Sequence, residues 1–326
     1  MSGRRIPAAL GAVVLLVILP HLSRSGYYRS ILVLAAIYLV VVMGLNVILG
    51  LAGELPFGYT AFFGLGAYAS GITTTLHGWS FWAGLGASLA VSAVFGFLIG
   101  YPSLYLRGPY FALVTWAFQD IVHLVIRNWV DFTRGPLGIP GVPSPRIGLP
   151  GLFSLELRSD LAFYYLALAG ALLATLAVAL IRDSRVGQAF LAIRENEVLA
   201  QALGIDAFRY KMKAFIISAV LGGLGGSLFA HYVGIVSPDI FSFYYITLIF
   251  SMGIIGGAGY IIGPVLGVVF FTAVPEYLRA AQSLRMVLLG AIMVAGIVFM
   301  PRGFGGLLES LGERRRARRG PWPSSR

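Results

Sequence analysis

The sequence predicts an all-α, polytopic membrane protein, and three observations lead to that fold class. Of the 326 residues, 58% are hydrophobic and only 11% are charged, whereas about a quarter of the residues of a soluble domain are charged. Uncharged apolar runs close to 20 residues long recur along the chain, and each can cross about 30 Å of hydrocarbon. The ten-residue alternating segments typical of a transmembrane barrel are not found in the sequence.

We predict about ten membrane segments. Their approximate bounds are 7–22, 31–51, 57–76, 80–101, 110–126, 161–181, 213–233, 243–257, 261–275 and 284–300. The first is short and follows Arg4 and Arg5, so a signal peptide is the alternative to an uncleaved span, although only a poor cleavage site follows it. We expect a single transmembrane domain of residues 1–300, in which the second to fifth and seventh to tenth segments form two related halves.

The distribution of basic residues predicts the orientation of the chain. The loop 182–213 carries six Arg and Lys residues, and the tail 301–326 contains the run "RRRARR". Both should be cytoplasmic, and counting segments backward places the N-terminus there too. The tail either meets anionic lipid or is a solvated disordered end. Because this tail contributes much of the net charge of +11, the charge does not indicate a nucleic-acid partner.

Two glycine-rich stretches interrupt predicted membrane helices. One is "LAGELPFGYTAFFGLGAYAS" and the other is "GIIGGAGYIIGPVLG". Backbone freed by such breaks is tolerated at membrane depth only where protein or a watery cavity receives it, and paired breaks are typical of a transport site. The alternative is close helix packing through small residues. We expect residues 53–60 and 256–263 to approach one another near a central pathway.

Polar and small residues in the membrane segments complete the predicted pathway. They are Asn46, Glu54, Thr60, Tyr68, Asp120, Gly257 and Tyr260. Asp120 and His123 are three residues apart and share a helix face. They form either a proton relay or a mutually satisfied structural pair, and we favour the structural pair.

Between two apolar segments, the charged loop predicts a short helix over residues 194–204. Its apolar positions are Val198, Leu199, Ala202 and Leu203. Gly204 is predicted to end it in the left-handed conformation, and Asp206 to cap the following helix. A helix this short is not stable alone, so its apolar face needs a partner. We therefore predict a coupling element formed by Arg194, Glu195, Glu197, Leu199, Ala200, Leu203 and Gly204.

Enzymatic and cofactor chemistry are not indicated. Cysteine is absent, and the four histidines do not have metal-site spacing. A phosphate-binding loop needs Gly-Lys-Ser/Thr, but the only lysines are Lys211 and Lys213, which follow Tyr210 and Met212. We expect no cofactor, no metal and no catalytic site. ATP hydrolysis, if it drives the protein, must occur on another subunit.

Several stretches carry a family resemblance that covers most of the chain. They are "GLNVILGLAGELPFGYTAFFGLGAYAS", "LRGPYFALVTWAFQDIV", the region "RDSRVGQAFLAIRENEVLAQALGIDAFRYK" with the span that follows it, "GGAGYIIGPVLGVV" and "PRGFGGLL". Together they resemble the LivM-type permease subunits of branched-chain amino acid ABC importers. The family's docking loop usually reads Glu-Ala-Ala-x-x-x-Gly. Only Ala200 and Gly204 match it, with Glu197 one place early, and Glu54 and Asp120 stand where relatives often have Gln and Glu.

The resemblance implies a type II-like importer permease in the bacterial inner membrane. Its solutes would be branched-chain or other small hydrophobic amino acids. Its implied partners are ABC ATPase subunits, a second, LivH-like permease subunit, an extracytoplasmic solute-binding protein and the lipid bilayer. The alternative is a stand-alone secondary transporter or channel for a small polar solute such as urea or an amide, and a membrane enzyme ranks last. The scarcity of acidic residues in the spans argues against coupling to an ion gradient.

Overall fold

The computed structural model describes residues 16–21, 26–147, 155–157, 159–277, 285–300, 303–307 and 309–310. Most of the first predicted membrane segment lies outside these residues, although 16–21 is helical. Most of the predicted basic tail, 301–326, lies outside them as well.

Helices account for nearly all of the regular structure among the described residues. They are α1 (Gly26–Leu45), α2 (Thr60–Thr75), α3 (Phe81–Ser103), α4 (Pro109–Asn128), α5 (Val130–Thr133), α6 (Asp160–Asp183), α7 (Arg185–Glu195), α8 (Glu197–Ala202), α9 (Ala207–Val233), α10 (Phe243–Gly256), α11 (Ile262–Tyr277) and α12 (Arg285–Phe299). The described strands are β1 (Ile139–Pro140), β2 (Arg146–Ile147), β3 (Leu155–Glu156) and β4 (Ile235–Val236). β1 pairs antiparallel with β4, and β2 with β3.

The predicted all-α membrane fold is confirmed. Each predicted membrane segment from the second to the tenth coincides with a helix. Among the described residues, five helices are long and apolar enough to cross a membrane, namely Gly26–Leu51, Phe81–Ser103, Pro109–Asn128, Asp160–Asp183 and Ala207–Val233. Phe243–Gly256 and Ile262–Glu276 are shorter and also apolar. The number of membrane crossings and the relation between two halves stay predictions.

α9 is the central helix of the bundle and packs against α1, α2 and α3. Small residues make this packing close. A Cβ added to Gly66 would clash with the backbone of Gly223, and one added to Gly223 would lie 2.8 Å from the Cβ of Ser92. At these glycines close helix packing explains the small residue.

The bundle has two chemically different ends. At one end lies the charged loop, residues 184–206, which joins α6 to α9. At the other end lies the antiparallel β1–β4 pair, in which Ile139 pairs with Val236. α1 begins at this second end, because Gly26 lies beside Asp160, the first residue of α6. Both helix breaks therefore lie at the charged-loop end.

The single helix predicted over residues 194–204 is wrong, because two helices share this stretch. α7 ends at Glu195, and Asn196 adopts an extended conformation with φ −158° and ψ 104°. The Asn196 side chain accepts a hydrogen bond from Leu199 N at 3.0 Å and so caps α8. An asparagine that bonds to nearby backbone competes with helix continuation. Two other predictions are confirmed: Gly204 has φ +86°, and Asp206 caps α9 through Arg209 N at 3.1 Å.

Candidate functional site: two broken helices against a charged loop

The first break begins where α1 continues into a different type of helix. Residues Asn46–Leu51 form a π-helix, and a 3₁₀ turn, Phe57–Tyr59, precedes α2. Gly53 between them has φ +79°. π-Helical turns are rare and occur mostly at functional sites. This break is thus a candidate part of a functional site on geometry alone.

The second break separates α10 from α11. Gly257 has φ 111° and Gly259 has φ 92°, a region of backbone conformation that glycine adopts without steric cost. The Gly257–Tyr260 segment is therefore a true interruption, in contrast to the closely packed glycines of α2 and α9.

Asn46 connects the two breaks. Its Nδ2 donates to the carbonyl oxygen of Tyr260 at 2.8 Å, and its Oδ1 accepts from Gly259 N at 2.7 Å. Gly50 lies so close to Gly259 N that a Cβ there would clash with it. The two breaks contact one another, but the residues that do so in the first break precede the predicted range 53–60. They meet through Asn46 and Gly50, and at the charged-loop end instead of the middle of the bundle.

Arg194, the penultimate residue of α7, lies against both breaks. Its Nη1 donates a hydrogen bond to the carbonyl oxygen of Gly50. A Cβ on Gly53 would lie 2.8 Å from the Cγ of Arg194, and one on Gly259 would lie 2.5 Å from its Nη1. The glycines leave the space that the guanidinium and its stem occupy. A side chain of the charged loop thus lies between the two broken helices.

An ionic contact through Lys211 of α9 also joins the charged loop to the first break. Lys211 Nζ lies 2.6 Å from Glu54 Oε1 and 2.9 Å from Glu197 Oε2. The Lys211 side chain is 6% exposed, that of Glu54 13% and that of Glu197 25%. A charge buried this far requires an ionic or hydrogen-bonded partner. We call these three residues the Lys211 triad. Glu54, predicted in the pathway, and Glu197, predicted in the coupling element, share one cation.

Of the remaining predicted coupling residues, some are buried and others are exposed to solvent. Ala200 is buried and packs with Ile193 and Ala207. Leu199 is 58% exposed and Leu203 75% exposed. Val198 and Glu195 are also exposed. We call the exposed apolar residues of α8 and its C-cap, namely Val198, Leu199 and Leu203, the α8 surface.

An open depression lies on the same loop, beside the base of α8. Its volume is about 510 Å³, and its walls include Asp183, Arg185, Gln188, Ala192, Ile205 and Tyr210. The charged loop thus carries both the α8 surface and an open depression.

Two predicted pathway residues, Thr60 and Tyr68, are buried inside the bundle. Thr60 donates to Gln119 Oε1, and Gln119 Nε2 donates to Phe241 O at 3.0 Å. Tyr68 stacks on the ring of Phe241, with centroids 6.2 Å apart. Sequence reasoning missed Gln119. Its signal is present in the spacing of Phe111, Thr115, Gln119, Val122 and Ile126, all buried on one face of α4.

Asp120 lies on the opposite, exposed face of α4. The expected pair with His123 is not formed, because the His123 ring stacks on Phe241 with centroids 5.9 Å apart and an interplanar angle of 20°. Within the described ranges, no hydrogen bond or ion pair joins Asp120 to another side chain. Its exposed apolar neighbours on this helix are Leu113, Trp116, Ile121 and Leu124. A carboxylate on an apolar membrane helix normally faces a partner or a watery cavity.

The part of the chain that the structure describes holds no group of three or more His, Asp or Glu side chains arranged for a metal ion. A bundle of apolar helices in which two are broken side by side is the architecture of a membrane transport protein.

Comparison with known proteins then gives the family. Residues 27–297 match the family described as the permease component of branched-chain amino acid transport systems. The chain is 33% identical over 324 residues to the high-affinity branched-chain amino acid transport permease LivM of Escherichia coli K12, covering 93% of this chain and 76% of the relative. LivM of Salmonella typhimurium is 32% identical and also covers 93% of this chain and 76% of its own length. LivH of E. coli K12 is 25% identical over 85% of this chain and 93% of its own length. No solved structure matches significantly. The chain belongs to the branched-chain amino acid transport permease family.

Proposed function

We propose that this permease is the membrane-spanning subunit of an ABC importer for branched-chain or other small hydrophobic amino acids. The observation that carries the proposal is the α8 surface. Its leucines are exposed on a loop that also contacts both helix breaks. An exposed apolar surface on a short helix fits into a groove of a partner protein. The partner would be an ABC ATPase, because the chain's two lysines do not lie in a phosphate-binding loop.

Orientation and domain organisation follow from the same assignment. Residues 1–300 would form one transmembrane permease domain in the bacterial inner membrane, followed by the basic tail 301–326. The charged loop and both termini would be cytoplasmic, since basic residues concentrate in the loop and the tail. An extracytoplasmic solute-binding protein would deliver the solute to the end formed by the β1–β4 pair.

The exposed face of α4 would be covered by a second, LivH-like permease subunit. A shallow apolar groove of about 300 Å³ lies between α3 and α4, with walls that include Phe95, Leu98, Ile99, Val114, Ala117 and Ile121. The LivH relatives resemble this chain over 85% of its length, so a related subunit is a natural partner for this face. The pathway would then run between the two subunits, next to Asp120.

Asp120 supports an amino acid as the solute. A carboxylate pairs with an α-ammonium group, and the apolar side chains around it would accommodate an aliphatic side chain. The predicted pathway residues Asn46, Glu54, Thr60, Tyr68, Gly257 and Tyr260 would act by setting the geometry of the helices beside it, because most of them are bonded or buried within the bundle.

Co-expression of the permease with the products of its neighbouring genes tests the proposal. We expect ATPase subunits to purify with the tagged permease. When the complex is reconstituted into liposomes that enclose ATP, we expect ATP to drive uptake of radiolabelled leucine in the presence of the binding protein. Solute uptake by the permease alone, without ATPase subunits, would support the stand-alone transporter instead.

A further inference from the structure

We propose that Arg194 and the Lys211 triad form a clamp by which the charged loop keeps the two helix breaks together. Movement of the loop by the ATPases would release the clamp and open this end of the pathway. The inference rests on the proposed function. It assigns Arg194, Glu54, Glu197 and Lys211 a positioning role, with no contact to the solute.

The first argument is that one loop contacts both breaks. Arg194 donates to Gly50 O in the π-helix and lies within van der Waals range of Gly53 and Gly259. Arg194 cannot move away with the charged loop without losing the contacts to both broken helices at once. Asn46 also joins the breaks, but Asn46 belongs to the bundle itself and does not respond to the loop directly.

The second argument is the distance along the chain between clamp and docking surface. Arg194 is the penultimate residue of α7, Glu197 begins α8, and Val198 of the α8 surface follows at once. α8 is only six residues long and is attached by its buried Ala200. A force applied to Leu199 or Leu203 therefore acts fewer than ten residues along the chain from both Arg194 and Glu197.

The third argument is the charge of the clamp and the burial of its Lys211 triad. Two cations, Arg194 and Lys211, face two carboxylates and a carbonyl oxygen, so its formal charge is zero. The Glu197 side chain is a quarter exposed, and water can replace the Lys211–Glu197 contact when the loop moves. The link from Lys211 to Glu54 is more buried. This arrangement suits a contact that must break and re-form in each cycle.

Leucine uptake and ATP hydrolysis, measured on the same reconstituted complex, test the clamp. We expect Arg194→Gln to lower the leucine moved per ATP by about tenfold, well inside the usual range of coupling between sites, with ATPase subunits still bound. Arg194→Lys should recover part of the loss, since a lysine can still donate to the Gly50 carbonyl. Glu54→Lys and Lys211→Glu should each lower the ratio. The two together should restore it to within about threefold, because one cation again faces two carboxylates.

Arg209→Gln is the matched control. Arg209 lies in the same part of the chain and pairs with Asp206 at 2.9 Å, but its side chain is highly exposed and outside the clamp. The control should leave the leucine-to-ATP ratio unchanged. An unchanged ratio in Arg194→Gln, or a charge-swapped pair that assembles and still fails to recover, would overturn the clamp.

A labelling experiment tests the clamp without reference to the solute. The chain has no native cysteine, so Ala52→Cys, at a buried position in the first break, gives a single thiol. We expect Arg194→Gln to speed its modification by a water-soluble maleimide about threefold or more, as local opening increases. Equal rates would contradict the clamp. Absence of ATP-dependent leucine uptake in the complex without substitutions would instead contradict the proposed function. The labelling rates would still show whether Arg194 holds the first break closed.

Discussion

Asn46 Oδ1 accepts a hydrogen bond from the backbone N–H of Gly259 at a distance of 2.7 Å. These residues are 213 positions apart, and each lies in an interruption of a membrane helix. A single buried amide side chain therefore sets the spacing of the two breaks, since the same side chain also donates to Tyr260 O.

Asn46→Leu should destabilise the permease. The substitution keeps the number and branching of the side-chain heavy atoms but removes the hydrogen bonds to Gly259 N–H and Tyr260 C=O, and a buried donor that loses its acceptor costs about 1–3 kcal/mol. Thermal unfolding of the purified protein in detergent measures the loss. Asn128→Leu is the matched control, because Asn128 is exposed and its side chain donates to Leu124 O of its own helix. Equal melting temperatures for the two variants would contradict a structural role for Asn46.

Leu199→Ala combined with Leu203→Ala should weaken ATPase binding and leave the stability of the permease unchanged. Both leucines are exposed in the permease alone, whereas burial of one leucine against a partner contributes about 1.5–3 kcal/mol. Affinity for the ATPase should therefore fall at least about a hundredfold. Titrated pull-down measures it. Leu137→Ala, at a more exposed leucine at the other end of the bundle, serves as the control, and affinity equal to that of this control would indicate that α8 lies on lipid.

Gly204→Val should reduce assembly through backbone strain alone. Gly204 has φ +86°, and a Cβ there would meet no atom within 4 Å, so the cost of about 1–2 kcal/mol comes from the left-handed conformation. Gly204→Asn should be tolerated better, since asparagine adopts this conformation more readily. Gly86→Val is the control at a helical glycine that also has open space around it. The measurement is the yield of permease–ATPase complex, and similar yields for Gly204→Val and Gly86→Val would refute the strain argument.

Asp120→Asn should lower leucine uptake about tenfold or more without loss of stability. The carboxylate has an exposed position on α4, so its charge does not stabilise the bundle, while an ion pair with the solute ammonium contributes about 1.5–3 kcal/mol. Asp120→Glu should retain most of the uptake. Asp131→Asn, an exposed carboxylate on α5, is the control. Normal uptake by Asp120→Asn would remove this residue from the pathway.

The sequence predicted the membrane helices well, because apolar runs near 20 residues have few alternative explanations. It also predicted the left-handed Gly204 and the Asp206 cap, which depend only on local backbone chemistry. The approach of the two breaks followed from their glycine content.

The contacts of the charged loop were not predictable in the same way. The pairing of Lys211 with Glu54 joins residues 157 positions apart in the chain, and no local pattern encodes it. The sequence predicted Arg194 only as part of the coupling element, yet Arg194 belongs to the preceding helix α7 and donates to Gly50 O of the first break. His123 and Asp120 satisfied the spacing rule for a pair but found different environments, because Phe241 from another segment stacks on the histidine.

The contacts of the first break depend on the number of residues in the π-helix Asn46–Leu51. A π turn contains more residues than an α turn, so this stretch carries residues that an ordinary helix would not need. Deleting one residue would let the stretch regularise into an α-helix, where each residue accounts for about 100° of rotation. Asn46 and the Gly50 carbonyl would then no longer both face the second break. The number of residues in this stretch is thus constrained as tightly as their identity, and a homologue with one residue fewer would have to join its two broken helices by different contacts.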